Sequence, residues 1–535
     1  MTKLEGTRFV KLPRIQKEMT QCQMCGYCIE VCEAHRQTPW ESVTARGKIY
    51  YLNQLDKVGT GLIDKVLGRG ARLSPEFVDA VYKCTGCGNC EAVCHAGIKL
   101  VELWEKIRKW MTNEGMAPLP VHRKLERSIA LNGNPYSEPR KKRDAWWPAD
   151  VKRTTPPEAI FFAGCTGSYR MQDIPRASVV VLDRAGVTVN CLGESEVCCT
   201  SPLLRTGIVS YSLEASKEVV SKADALGAKD MVMSCSGCYK TVSSNYIDYY
   251  GKPGQNVYHI VQYVDKLISE RRLPLNNEFK ARVTYHDPCH LGRHSKVYEE
   301  PRRILKKIKG IDFVEMERNK ENSRCCGAGG GYKSAFNNFA VDIAAERIKD
   351  AEAVGAGVIA TACPFCVLNL RQGAKKIGSK VKVMDITEIL LHVTAPKVEE
   401  PVAEKHDADQ LVPAVKPNCE VTIKKTMSDD VEENVEDLEM TPEAVIRRAM
   451  WKEGLRYRKD YGHAHVQFAF VRPKIAVFIT ETGAEEEHDK DLVGSGWTVL
   501  RYKNKDITDG KDQIAEIKAM YKKNLCDDKI VDEEE

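Results

Sequence analysis

The chain has 535 residues, enough for roughly three or four domains with sizeable cores, and a net charge of only +5. Charge of that size points to neither nucleic acid nor an acidic membrane surface. Residues 1–20 lack the apolar run of a signal peptide, and no stretch approaches the ~18 apolar residues of a membrane span. The expected location is cytoplasmic, where 21 cysteines point to metal binding or redox work rather than structural disulfides.

Eight of these cysteines lie in two N-terminal runs, Cys22-x-x-Cys25-x-x-Cys28-x-x-x-Cys32 and Cys84-x-x-Cys87-x-x-Cys90-x-x-x-Cys94. Thiolates are soft ligands suited to iron–sulfur clusters or zinc. Zinc sites use separated C-x-x-C pairs, which this spacing does not supply. In a two-cluster ferredoxin, three cysteines hold one cubane and the fourth serves the other. The expected ligand sets are therefore Cys22, Cys25, Cys28 with Cys94, and Cys84, Cys87, Cys90 with Cys32. Gly26, Gly86 and Gly88 suit a backbone folded closely around sulfur. Where proline usually follows the fourth cysteine, this chain has Glu33 and His95. Segments 47–55, 61–67 and 75–82 read as helices. The whole of residues 1–120 resembles the helical ferredoxin domains of respiratory electron-transfer subunits, which implies two cubane [4Fe-4S] clusters acting as a one-electron wire.

Residues 121–156 carry Arg140-Lys141-Lys142-Arg143 and Trp146-Trp147-Pro148. They read as a basic, solvated linker, or as a docking strip anchored by the paired tryptophans.

Ten further cysteines form one pattern written twice. The first copy is Cys165, Cys198-Cys199, Cys235-x-x-Cys238; the second is Cys289, Cys325-Cys326, Cys363-x-x-Cys366. Corresponding cysteines lie 124 to 128 residues apart, so the chain is internally duplicated. Apolar segments 159–163, 231–234, 283–286 and 357–361 read as strands, each delivering cysteines at its end. Segments 174–185, 212–225 and 339–351 read as helices. Alternation of this kind implies parallel α/β units, whose crevice at the carboxyl ends of the strands is where such folds bind cofactors. Each C-x-x-C is expected at a helix start, where the dipole favours thiolate. The two repeats are placed at 157–275 and 276–396. His286, Asp287, His290 and His294 flank Cys289 as candidates for hydrogen bonds or a proton, or as ordinary loop caps. Gly327, Gly329, Gly330 and Gly331 lack the Lys-Ser/Thr of a phosphate loop, so close backbone approach to a cluster is expected there. Cys191, Cys419 and Cys526 fit no pattern and read as structural or surface thiols.

The five-cysteine motif resembles the cysteine-rich CCG domain of heterodisulfide reductases. Two ferredoxin runs followed by two such motifs on one chain resemble the catalytic D-type component of those enzymes, over roughly residues 15–395. Within that group the resemblance is to DsrK-type subunits of DsrMKJOP complexes of dissimilatory sulfur metabolism. It implies one or two noncubane [4Fe-4S] clusters and reductive cleavage of a disulfide or trisulfide. Cys289, Cys325, Cys326, Cys363 and Cys366 would be catalytic, and Cys165, Cys198, Cys199, Cys235 and Cys238 would hold a further cluster. A membrane cytochrome b partner would pass electrons from menaquinol, and a small Cys-tailed protein (DsrC-like) would be the substrate. The chain would then be peripheral, on the cytoplasmic side of the cytoplasmic membrane. A heterodisulfide reductase acting on small thiols, the relay subunit of a glycolate or lactate oxidase, and a purely structural cluster protein are the alternatives.

Residues 397–439 are acidic and read as a flexible linker. Residues 440–525 read as a small α/β module, with elements at 443–460, 474–480, 497–502 and 512–522. It resembles the very-short-patch-repair endonuclease fold. Where those nucleases place a metal-binding acid, this chain has Gln467, so the expectation is a retained fold used for docking, without cleavage.

Overall fold

A computed structural model describes residues 12–57, 73–249, 251 and 253–396, and in the C-terminal part 445–446, 450, 466–470, 474–481, 487–507, 512–520 and 524. The expected helix at 61–67, the acidic linker 397–439, most of 443–460, Cys419 and Cys526 lie outside the described residues. Residues 1–404 form one compact unit and 405–535 a second.

The N-terminal part is helical. Helix Pro75–Tyr82 has proline in its first turn and a Ser74 cap whose side chain accepts from the Phe77 N–H, which satisfies a donor the helix itself cannot. Helix Leu100–Asn113 places Leu100, Leu103, Trp104, Ile107 and Met111 on one buried stripe, the three- and four-residue spacing of an amphipathic helix. They pack with Ile49 and Leu52 of helix Ala45–Lys57 and with Phe77 and Val81.

Each repeat is a four-stranded, all-parallel sheet. In the first, β1 (Ala159–Phe162), β2 (Val189–Asn190), β3 (Asp230–Met233) and β4 (Asn256–His259) lie in the order β2-β1-β3-β4. In the second, β5 (Ala281–Tyr285), β6 (Ile311–Phe313), β7 (Val358–Thr361) and β8 (Lys382–Asp385) repeat it as β6-β5-β7-β8. The central strands β1, β3 and β7 are wholly buried, as expected of strands covered on both faces. In each sheet the order reverses between the two central strands, β1 and β3 or β5 and β7. That switch point opens a crevice at the carboxyl ends, where the first cysteine and the C-x-x-C of each repeat emerge. The edge strands β2, β4, β6 and β8 were not anticipated.

Residues 121–156 are not a solvated linker. Helix Pro120–Asn132 buries His122, Ser128 and Ile129. Trp146 is 1% exposed with its indole N–H donated to the Arg143 carbonyl at 3.0 Å, and Trp147 packs against the same core. The tryptophans are spent on the first repeat, so the docking-strip reading fails with the linker reading. Only Arg140, Lys141 and Lys142 of the basic run face solvent.

In the second unit β9 (Phe468–Phe470) runs antiparallel to β10 (Ile475–Thr480), which pairs in parallel with β11 (Thr498–Lys503), and a helix spans 512–520. Gln467 is a backbone clamp: its side chain accepts from the Ile479 N–H and donates to the Ile479 carbonyl.

Candidate metal centres

The ferredoxin runs come together as two four-cysteine groups. Cys22, Cys25, Cys28 and Cys94 line one cavity with Met24, Tyr27, Arg46 and His95. Cys25 is exposed, so this group lies at the protein surface. Cys84, Cys87 and Cys90 gather around Cys32. This second group packs against the second repeat, and three cations surround it that have no carboxylate partner among the described residues. Lys48 is 1% exposed, beside Cys32 and over the Trp104 ring. Arg108, 2% exposed, donates to the carbonyls of Val81, Cys84, Arg205 and Gly330 at 2.7–2.9 Å. Arg293 donates to the carbonyls of Cys87, Glu321 and Ser323. Buried charge is costly unless another charge answers it. A four-thiolate iron–sulfur centre is an anion, so the donor set and its surroundings both fit one.

All five cysteines of the first repeat, and Cys289, Cys326, Cys363 and Cys366 of the second, line a single cavity of about 330 Å³. Cys235 caps the short helix Ser236–Lys240 and Cys363 caps helix Pro364–Ile377, the helix starts expected of them. Within each repeat the vicinal pair reaches the C-x-x-C: the Cys199 and Cys238 sulfurs are 3.2 Å apart and those of Cys326 and Cys366 3.3 Å. The repeats also touch each other, since Cys235 of the first packs against the cluster that contains Cys363 of the second. The cavity thus belongs to both motifs.

Cys325 is the exception. Its thiol lies beside those of Cys289 and Cys87, and its sulfur is 3.5 Å from the Thr85 hydroxyl. The second repeat therefore packs, cysteine against cysteine, on the second ferredoxin group. The glycine-rich turn lines the cysteine cavity and also forms this junction. A Cβ on Gly330 would sit 2.7 Å from the carbonyls of Cys84 and Thr85, and one on Gly329 2.7 Å from that of Thr85, so only glycine lets the two backbones meet.

The flanking candidates separate. Asp287 is locked in a buried ion pair with Arg302 at 2.8 Å and also accepts from the Lys320 N–H; it is a strut, not a proton donor. His286 accepts at Nδ1 from Arg347. Arginine can only donate, so the proton is on Nε2, and the His286, Cys326 and Cys366 ligating atoms all lie within 4.8 Å of one another. With Nε2 protonated, His286 is placed to donate to one of these sulfurs and not to ligate a metal. His290 lines the cavity with Nδ1 3.5 Å from the Cys289 sulfur. His294 packs its ring on that of His290, tilted, with centroids 4.7 Å apart, and faces the Gly88 loop. Cys191 is buried and outside every group, and burial pushes its thiol up to about 12.

Several residues around the site carried no signal in the sequence. Arg143, read as part of a solvated run, donates to the Cys165 sulfur at 3.3 Å and pairs with buried Glu196. Glu196 in turn accepts from the N–H groups of Ala163 and Gly164, fixing the loop that presents Cys165. Lys333, in the cavity wall, is held by Asn337, Asn369 and Gln372, and desolvation pulls its ammonium down. Arg205 is the other cation of the lining, which contains no Asp or Glu.

Residues 18–98 match the family described as 4Fe-4S dicluster domain, and residues 159–243 and 283–371 the family described as cysteine-rich domain, CCG. The chain is 36% identical over 382 residues to the D subunit of the dihydromethanophenazine:CoB–CoM heterodisulfide reductase of Methanosarcina barkeri, covering 70% of this chain and 93% of that protein. It is 31% identical over 380 residues to the B subunit of the fumarate reductase (CoM/CoB) of Methanothermobacter marburgensis, covering 70% and 72%. A similar match, 31% over 380 residues, covers 66% of this chain and 53% of the probable iron–sulfur-binding oxidoreductase FadF of Bacillus subtilis.

Proposed function

This chain belongs to the HdrD-like family of iron–sulfur oxidoreductases, and from that premise we propose that it is the catalytic subunit of a disulfide or trisulfide reductase. The observation that carries the reading is the single cavity lined by nine of the ten cysteines of the two motifs, which pack against each other at Cys235 and Cys363. Cleaving an S–S bond to two thiols takes two electrons and two protons. Both halves of the broken bond then need a sulfur-binding set beside them, and two sets on one cavity provide it. Iron–sulfur clusters, when bound, supply single electrons and an iron site that takes up sulfur. Cubanes at the two ferredoxin groups and a noncubane cluster at each five-cysteine motif fit the donor sets.

The protein's own residues supply the rest. Cys325, in contact with both Cys87 and Cys289, is the handover point from the ferredoxin groups to the cavity. His290 stands at hydrogen-bond distance from the Cys289 sulfur, where a proton is needed. Arg205 is already paired with Glu105 at 2.6 Å, whereas Lys333, held only by neutral amide oxygens in a lining without Asp or Glu, suits a substrate that carries negative charge. That is compatible with a DsrK-type role on a small Cys-tailed protein whose chain ends in a carboxylate. It is equally compatible with small anionic thiols. Among the described residues no helix is long and apolar enough to cross a membrane. In the DsrK-type reading, a membrane cytochrome b partner passes menaquinol electrons to this chain.

Addition of a thiol product to the oxidised holoprotein is the test. A paramagnetic signal that changes on thiol addition, and broadens with ³³S-labelled thiol, is expected if sulfur binds at the cavity. An oxidised protein silent to thiol would place the chemistry on a partner and leave this chain the relay of a flavoprotein or quinone enzyme.

A further inference from the structure

The two ferredoxin groups sit in unlike electrostatic surroundings. At the surface group, Cys22, Cys25, Cys28 and Cys94, the neighbouring cation is Arg46, which is half-exposed and neutralised by Glu41 through two hydrogen bonds of 2.5 and 2.8 Å. At the inner group, Cys32, Cys84, Cys87 and Cys90, the cations are Lys48, Arg108 and Arg293, each at least nine-tenths buried and without a carboxylate partner among the described residues. Arg293 retains a buried Nη2 with no hydrogen-bond acceptor. Next to Cys32 lies Glu33, answered by Arg318 at 3.2 Å, Arg324 and Arg36, and next to Cys90 lies Glu91, answered by Lys99 at 3.5 Å. The inner group therefore experiences a net buried positive charge that the surface group does not.

Adding an electron makes an iron–sulfur centre more negative, and fixed positive charge in a poorly screened interior favours that state. We propose that Lys48, Arg293 and Arg108 make the centre at Cys32, Cys84, Cys87 and Cys90 the higher-potential member of the pair, so that electrons collect beside the cavity rather than at the surface. The step is a single-electron transfer: the surface centre is oxidised, the inner centre reduced, and no bond forms or breaks. Its reductant is an external one-electron donor meeting the surface centre, where Cys25 and Tyr27 are exposed. Its acceptor side is the Cys87–Cys325 contact. The inference rests on the assignment of two cubanes and is independent of the disulfide chemistry at the cavity.

The test is a potentiometric titration of the full-length holoprotein with dithionite, followed by EPR. Cys94→Ser alters or removes one of the two ferredoxin-type signals and so labels the surface centre. The other signal is expected to appear first as the potential is lowered. Lys48→Met and Arg293→Met each shift that signal's midpoint downward without moving the labelled one, and Lys48→Arg returns it toward the wild-type position. Reduction of the labelled surface centre first would overturn the proposal. Unmoved midpoints in both methionine variants, at wild-type iron content, would overturn it too. Should either variant lose iron, the wild-type order of reduction decides by itself. Fewer than two ferredoxin-type signals in the wild type would instead remove the two-cubane assignment, and the inference with it.

Discussion

Asp385 ends β8 and caps helix Ile386–Val393, accepting from the Thr387 N–H and hydroxyl with one carboxyl oxygen while the other has no partner. Burial pushes its carboxyl up to about 8, against the opposing pull of Thr387. In the unfolded chain the group titrates near 4. The folded protein therefore keeps a proton that the unfolded chain releases. Stability from this source is fully present below about pH 4 and is lost as pH rises through about 8. Asp385→Asn retains a capping acceptor, so the thermal midpoint of the variant should fall less between pH 5 and 8 than that of the wild type. The difference is worth at most about 1.4 kcal/mol per pH unit, and parallel curves would remove Asp385 from the pH response. At this scale the sequence was legible where chemistry is tied to residue type. Cysteine spacing grouped all eighteen patterned cysteines. Lys48, Arg293 and Glu196 were not legible, because nothing local distinguishes a buried charge from the other charged residues of the chain.

Elements were legible where one face dominates. The buried central strands β1, β3, β5 and β7 and the helices behind them stand out as apolar runs or stripes. The edge strands do not: β4, Asn-Val-Tyr-His, and β8, Lys-Val-Met-Asp, mix polar and apolar residues and are defined by pairing with a neighbour far away in sequence. The junction between the ferredoxin part and the repeats was equally hidden. It depends on Arg108, whose guanidinium joins Val81 and Cys84 to Arg205 of the first repeat and Gly330 of the second. Arg108→Met would leave four carbonyls without that donor, at roughly 1–3 kcal/mol for each one that stays buried and unpaired. A loss of about 3 kcal/mol or more is expected, seen as a lower denaturation midpoint and faster loss of iron. A midpoint within about 0.5 kcal/mol of wild type, the range of an ordinary surface change, would show that the junction holds without it.

Across the molecule, duplication explains more than either repeat alone. The two sheets share one topology, and their cysteine-bearing ends meet at one cavity. Sequence spacing revealed the duplication but could not say that the copies face each other, since convergence depends on helix and sheet packing between segments more than a hundred residues apart. Four [4Fe-4S] centres predict about 16 Fe per chain, and about 12 would mean that one five-cysteine set holds none. The central claim, that both motifs serve one S–S-cleaving cavity, is tested most directly by disulfide reduction driven with reduced methyl viologen. Cys238→Ser in the first repeat and Cys366→Ser in the second should each bring the rate to background while the ferredoxin-type EPR signals persist. A wild-type rate retained by either variant would contradict a shared cavity.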